Sequence, residues 1–582
     1  MGDMKVNRAV ERLHGYIPFN PSHAEIYEEH QRESFVHADT AAELWLTKRL
    51  QTGNPTSLVI LTGDAGHGKT HLVRQLLKRL GAKGDLSSVL QNECNGKPRT
   101  YDEYTLAIHK DLSETDPQNA AQLLRESITA PYPLIACVNE GRLRAMLSSD
   151  ILSETSLAGS IRKALHENDI EPDPGIVVLN LNWQMVSLPS GIMVTLLKQL
   201  LDGRKWRICQ ECSAQDLCPI YQNRSILARS EQRLESIRRL YEIVEQLGEV
   251  VTIRQVMIHL AWLLTGNLEC KDVHNMKRGS TDTSVYSHAS TLFGEGAQAS
   301  FIRSHGLFNR LKLLDPAWSA SRRIDDYLVT PEGRQCIPNT APDRTHITKR
   351  HKVDLHTHLS PTEFDIDGKN HLKHESSILE RSFAILRRNH LLETEYTPDN
   401  PIPIAGFEHV QAFQSLLAGT LKKIARKKII NRLIEGLHRL QYLPRPDGGG
   451  LYIVDPISLR ARSATAVIAM QVPAKEVTLE PDEPPKPAGD ESRSALDAVP
   501  RRLWLVVRKH RIGLSLWDFE FLCRCGSGLV SRTFFAREAR RITNFLLKVA
   551  QDSEEENIDT AQVLYQGRLI SITVEDGVVT LD

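Results

Sequence analysis

Eight residues constrain this chain more than any others: Gly63-Asp64-Ala65-Gly66-His67-Gly68-Lys69-Thr70, which satisfy G-x-x-x-x-G-K-[ST]. The run before them, Leu58-Val59-Ile60-Leu61, reads as a buried strand, and an amphipathic helix is predicted from Lys69 onward. Strand, glycine-rich turn and helix N-terminus in that order surround an anion with backbone N–H groups. Glycines leave no side chain in the way, and the helix end contributes roughly half a positive charge. The spacing therefore predicts a phosphate loop in which Gly63, Asp64, Ala65, Gly66, His67, Gly68, Lys69, Thr70 and His71 contact ATP. Lys69 is expected to neutralise the β- and γ-phosphates, and Thr70 to ligate Mg²⁺ through its hydroxyl.

Around this loop, short apolar strands alternate with amphipathic helices, the pattern of a parallel α/β sheet. Strands are predicted at 57–62, 104–110, 133–138 and 175–182, and helices at 71–80, 117–129, 142–148 and 157–166. A phosphate loop needs a second acid at a neighbouring strand end to hold the metal's water shell. Asp111 stands at that place, and Glu114 is positioned to polarise an attacking water. The usual adjacent Asp-Glu pair is missing, which leaves turnover less certain than binding. Asn139 closes another strand and is expected to bridge the γ-phosphate and the lytic water, with Glu140 as the competing general base. Arg254 is expected to report nucleotide state, and Arg142, Arg144 and Arg204 are candidates for a finger acting in trans.

Cys209-Gln210-Glu211-Cys212 is followed by Cys218 and, beyond a long helical stretch, by Cys270. Two thiolates separated by two residues chelate one ion, so these four predict a closed, structural Zn²⁺ site. Free thiols, or His274 as the fourth ligand, remain alternatives. Cys523 and Cys525 are spaced too tightly to chelate and read as structural.

The domains expected are a helical segment at 1–45, the ATPase core at 46–200, a cysteine segment with a helical lid at 201–290, and a helical domain at 291–470. A Pro-rich linker at 471–500 and a helical subdomain at 501–582 complete the chain, which closes in a hairpin turning at Asp576-Gly577. The clearest helices of the second half fall at 377–390, 409–425, 427–440, 517–523 and 536–550. Two further motifs read as decoys. Asp354-Leu355-His356-Thr357-His358-Leu359 resembles a metal-binding barrel strand but follows residues too polar to be buried. The run Lys422, Lys423, Arg426, Lys427, Lys428 and Arg432 can grip a phosphate backbone, but its helical spacing fits a solvated face, and no aromatic interleaves.

Lys plus Arg and Asp plus Glu both number 72, so no global charge draws the chain to nucleic acid or membrane. The opening residues lack a signal peptide's apolar run, and Asn7 breaks a myristoylation match at Gly2. No apolar stretch approaches a membrane span, so a cytoplasmic protein is expected.

Together these residues resemble the STAND/AAA-type ATPases of bacterial anti-phage defence operons, and among them the ATPase subunits of phosphorothioation-dependent DNA restriction. The resembling pieces are the loop 63–70, Lys110-Asp111-Leu112-Ser113-Glu114, Val138-Asn139-Glu140-Gly141-Arg142-Leu143, Cys209 to Pro219, and Val251-Thr252-Ile253-Arg254. Thr265-Gly266 with Cys270, Leu292-Phe293-Gly294-Glu295-Gly296 and Leu314-Asp315-Pro316 extend the match, which covers residues 50–320. The resemblance implies an ASCE-type core with a helical lid and partner nuclease or helicase subunits; double-stranded DNA and further copies of the chain are the other candidate partners. It implies ATP turnover used as a switch or motor. Two alternatives stand beside it: a nucleic-acid-remodelling ATPase acting alone, and a scaffold that holds ATP without hydrolysing it.

Overall fold

Four runs rich in leucine and β-branched residues, with one polar edge strand, build a five-stranded sheet from β1 (Leu58–Thr62), β2 (Asn95–Tyr101), β3 (Tyr104–His109), β4 (Leu134–Val138) and β5 (Ile176–Asn180). Its spatial order is β2-β3-β4-β1-β5; β3, β4, β1 and β5 are parallel, and β2 is an antiparallel edge. β1, β4 and β5 are buried at every position because helices cover both faces. In β1, Val59 and Leu61 join a core with helices Ala41–Gln51 and Lys69–Arg79. Leu58 and Ile60 join another with Pro117–Ser127, Glu140–Leu147 and Ser156–Glu167. The sequence reading finds β1, β3, β4 and β5 within one or two residues of their ends. It misses β2, whose polar, exposed residues and Pro98 give no apolar alternation and suit only an edge.

The computed structural model describes residues 6–18, 35–167, 169–276, 284–318, 384–397, 400–404, 406–443, 449–455, 466–485, 494–529, 535–551, 560–565, 568–575 and 578–581. The His-x-His motif at 354–359 and the turn at 576–577 lie outside these residues, as do 377–383 of the helix expected at 377–390. A helical stretch covers 384–393. The chain forms two units. One comprises Met1–Glu245, Val250–Glu395 and Pro484–Ala498; the other comprises Gln246–Glu249, Tyr396–Glu483 and Val499–Asp582.

The second unit departs from the expectation of a mostly helical C-terminal region. Besides helices Val410–Leu417, Lys423–Leu440, Leu516–Gly526 and Ala536–Gln551, it holds β6 (Gly450–Val454), β7 (Ala466–Pro473), β8 (Val477–Pro481), β9 (Leu503–Val507), β10 (His510–Leu514), β11 (Thr560–Tyr565), β12 (Arg568–Glu575) and β13 (Val578–Leu581). These form sheets ordered β10-β9-β8 and β13-β12-β11-β7-β6. The stretch expected as a linker carries the end of β7 and all of β8, whose Val477 and Leu479 face inward on alternate positions. The single helix expected at 409–425 breaks at Gly419, which takes a φ of 67°. The closing hairpin is present as β12 and β13, with Glu575 paired to Val578. Helices Lys423–Leu440 and Leu516–Gly526 meet at their backbones, where a Cβ on Gly436 would strike the Leu522 carbonyl and one on Gly526 the Arg432 carbonyl.

Part of Pro484–Ala498 returns to the first unit. Ala495 and Leu496 are buried in the core that holds Ala42, Leu46 and Leu181. The Asp497 carbonyl accepts from the Met185 N–H at 2.6 Å, and its carboxylate accepts from the Ala41 N–H at 2.9 Å. No helix among the described residues is long and apolar enough to cross a membrane.

Each unit buries a histidine that must stay neutral. His259 Nδ1 accepts from the Tyr241 hydroxyl at 2.5 Å, while its Nε2 donates to the Leu292 carbonyl at 3.0 Å. His438 Nε2 accepts from the Tyr452 N–H at 2.9 Å. Burial lowers both pKa values to about 4. The unfolded chain takes up these protons near pH 6.5 and the folded chain only near pH 4, so stability falls as pH drops through that window. Thermal melts between pH 7 and 4.5 should show that decline, and His438→Gln, which keeps the acceptor but does not titrate, should lessen it.

Candidate functional site

The register aligns the strand ends that matter. Thr62 pairs with Val138 on β4 and with Asn180 on β5, so Gly63, Asn139 and Asn182 emerge along one edge. β3 pairs His109 with Ala136, and Asp111 follows two residues later at the same edge. Carboxyl ends of parallel strands are where open α/β sheets bind ligands.

The loop leaves β1 through three glycines in the left-handed region: Gly63 (φ 134°), Gly66 (φ 97°) and Gly68 (φ 80°). At Gly66 crowding adds to φ, since a Cβ would lie 2.9 Å from Arg254 Cβ and 3.2 Å from Thr252 Oγ1. The Arg254 N–H donates to the Gly66 carbonyl at 3.0 Å, so the loop and the start of helix Ile253–Thr265 hold each other. Helix Lys69–Arg79 begins at left-handed Gly68 with no side-chain cap and no acid in its first turn, leaving its positive end to the cleft. The Lys69 ammonium donates to the Gly63 carbonyl at 2.8 Å, the Asp64 carbonyl at 3.0 Å and Asn139 Oδ1 at 2.9 Å. Burial lowers its pKa below the ordinary lysine value, and the nearby Asp111 and Asp64 carboxylates oppose that shift.

A cavity of about 310 Å³ opens on the loop. Lys69, Thr70, Asp111, Asn139 and Arg254 supply polar lining; Tyr16, Val36, Ile192, Leu196, Met257 and Ile258 supply apolar lining. Asp111 Oδ1 accepts from the Ser113 N–H at 3.0 Å, and Ser113 Oγ accepts from the Asn139 N–H at 2.8 Å, which joins the ends of β3 and β4. Glu114 is exposed and is not part of the cavity lining. Glu140 is engaged: Asn180 and Asn182 donate to its Oε2 at 3.1 and 3.0 Å, and Arg144 donates to Oε1 at 2.6 Å. Asn182 Oδ1 in turn accepts from the Asp64 N–H at 2.9 Å, so Glu140 braces the loop. Arg142 donates to the Ser113 carbonyl at 3.2 Å, and Arg204 pairs with Asp202 at 2.6 Å.

No local pattern announces the wall built by Tyr16 and residues 36–38. His37 Nδ1 lies 2.7 Å from Nε2 of His71, the residue after Thr70. Its Nε2 lies 3.0 Å from Asp39 and 3.6 Å from Glu43. Glu43, only 1% exposed, is the stronger influence despite its distance, and its carboxylate raises the His37 pKa above the ordinary histidine value. Among the described residues, His37, Asp39 and Glu43 are the group whose candidate metal-ligating atoms all lie within 4.8 Å of one another. Arg79 already neutralises both carboxylates, at 2.6 Å from Asp39 and 2.8 Å from Glu43.

Cys209, Cys212, Cys218 and Cys270 are free thiols brought into one neighbourhood of the first unit, but not drawn to that spacing. Asn7 donates through Nδ2 to Cys209 Sγ at 3.2 Å and through its backbone N–H to Cys270 Sγ at 3.4 Å. The Tyr221 N–H donates to Cys218 Sγ at 3.5 Å, and Cys212 Sγ lies 3.3 Å from His274 Nε2. Burial raises the pKa of Cys209 and Cys270 and pushes Cys218 up to about 12. In the second unit, Lys422, Lys423, Arg426, Lys427, Lys428 and Arg432 are exposed on the N-terminal half of helix Lys423–Leu440. Ile424 among them is 75% exposed, and the helix has no acid in its first turn.

Comparison of the chain with protein-family models, with curated proteins and with solved structures finds no match.

A pair of alanine substitutions tests the loop geometry. Gly66→Ala should cost about 1–3 kcal/mol of stability, from its positive φ and from crowding. Gly159→Ala, in an open position of helix Ser156–Glu167, should instead gain about 0.5–1 kcal/mol. Chemical denaturation of both variants reads the difference.

Proposed function

We propose that the first unit binds ATP with Mg²⁺ at the loop 63–70 and acts as an ATPase of the P-loop class. The observation that carries this reading is Lys69, which stands at an uncapped helix N-terminus and reaches Gly63, Asp64 and Asn139 in a cavity also lined by Thr70 and Asp111. Backbone N–H groups of the loop would take the phosphates, and Lys69 would neutralise their charge. Thr70 and Asp111 supply the hard oxygen donors that suit Mg²⁺. The apolar lining from Tyr16, Val36, Leu196 and Met257 suits a nucleobase. Asn139 is the polar group best placed to orient water, because Glu140 is tied to three partners and Glu114 is exposed. That arrangement favours slow hydrolysis, and it keeps an ATP-holding scaffold as the second reading.

The four cysteines are assigned to structural Zn²⁺. N–H donors onto three of the sulfurs would stabilise thiolates there once an ion displaces the protons that burial retains, and the donor set suits a closed tetrahedral site. In line with the resemblance to anti-phage ATPases, the chain would serve a restriction complex beside nuclease or helicase subunits, its nucleotide state governing assembly or DNA engagement. The exposed basic half of Lys423–Leu440 supports duplex DNA as a partner. Its cations stand at the positive end of their own helix, an arrangement that an anion would relieve.

The test is ATP binding and hydrolysis by the full chain, with and without duplex DNA. Lys69→Ala should weaken ATP binding at least tenfold, and Asp111→Asn should remove its Mg²⁺ dependence. Binding without turnover in any condition selects the scaffold. A wild-type chain that binds no ATP at millimolar concentration sinks the reading.

A further inference from the structure

We propose that the cysteine cluster, loaded with Zn²⁺, sets the affinity of the cleft for nucleotide by anchoring, through Asn7 and Lys205, the N-terminal segment that walls the cavity. The inference rests on the nucleotide and zinc assignments above and adds a coupling between them.

Asn7 is the junction. It is 2% exposed, and its two N–H groups reach Cys209 and Cys270, sulfurs that lie far apart in sequence. Its Oδ1 accepts from the Ala9 N–H at 2.8 Å, which caps helix Arg8–Gly15. That helix packs along Ile253–Thr265, and its His14 lies 3.3 Å from the Asn267 carbonyl and 3.4 Å from Glu269, the residue before Cys270. The residue after the helix, Tyr16, lines the cavity. A rigid helix thus runs from the sulfurs to one part of the wall.

A second path reaches the other part. Asn7 Nδ2 also donates to the Lys205 carbonyl at 3.1 Å. The Lys205 ammonium donates to the Phe35 carbonyl at 3.3 Å and lies 4.8 Å from the centre of the Phe35 ring. Arg12, on the helix, stacks on the same ring at 5.4 Å. Phe35 precedes Val36 and His37, both of which line the cavity. Gln199 clamps the His37 backbone, its Oε1 accepting from the N–H at 2.9 Å while its Nε2 donates to the carbonyl.

Both parts of the wall therefore hang on Asn7, which touches two of the cysteines: one part through its own helix, the other through Lys205. Four thiolates gathered by one ion give Asn7 fixed, charged acceptors. Four separate thiols leave it weak ones, and the wall must then be ordered at the expense of nucleotide binding.

The experiment titrates the full chain with a fluorescent ATP analogue while zinc content is measured on the same sample. Wild type is taken as purified, after chelation, and after zinc is restored. Chelation should weaken binding about tenfold and zinc should restore it. Asn7→Asp keeps the helix cap but has no side-chain N–H to donate, and Lys205→Met keeps the stem but loses the ammonium. Each should weaken the analogue several-fold, and Lys205→Met should do so with one zinc per chain still bound. Circular dichroism confirms that each variant is folded. Affinity that stays within twofold in the chelated wild type and in folded Lys205→Met overturns the coupling while leaving both assignments standing. A wild type that holds no zinc, or binds no analogue, overturns the coupling together with the corresponding assignment.

Discussion

The Lys69 ammonium holds the end of β1 to the end of β4. A half-buried cation needs acceptors, and it finds them in two loop carbonyls and the Asn139 amide, all neutral. The bonds draw the loop around the head of the following helix, whose uncapped start lines the cavity. Because the acceptors carry no charge, a phosphate competing for the ammonium has a large electrostatic advantage over them. The same interaction that shapes the loop thus leaves it ready to be exchanged.

Neighbouring groups are committed to supporting that arrangement. Glu140 spends its carboxylate on Asn180, Asn182 and Arg144, and Asn182 in turn holds the Asp64 N–H. Ser113 joins Asp111 to Asn139, and Arg254 uses its backbone to hold Gly66. An acid beside a strand end that looks available for chemistry in one dimension can be a brace in three. Of the polar groups on the cavity wall next to the loop, Thr70, Asp111 and Asn139 suit metal binding and orientation better than proton abstraction.

What could be read beforehand follows from how each feature is encoded. β1, β4 and β5 are buried on both faces, so their apolar runs announce themselves, whereas β2 is polar because it is an exposed edge. The loop and the cysteine spacing are local patterns. The cavity wall is not: Tyr16, Val36 and Leu196 come together only through the fold, and Asn7 meets Cys209 and Cys270 across long stretches of chain. In the second unit β6, most of β7, β9 and β10 fall in stretches expected to be helical, beside helices of strong periodicity, and β8 falls in the expected linker. Pro473 and Pro481 end strands there rather than marking a linker.

The route of the chain carries a consequence for how the protein is made. Leu496 fills the same core as Ala42 and Leu46, and Asp497 caps the helix that begins at Ala41, although more than four hundred residues separate them. A ribosome releases the first unit's sheet early, yet the plug for its core arrives only after about half of the second unit has been synthesised. The first unit must therefore wait with an open apolar seam. No single cut in the gene would yield it whole, and its removal from the rest would require joining the 484–498 segment back by a new linker.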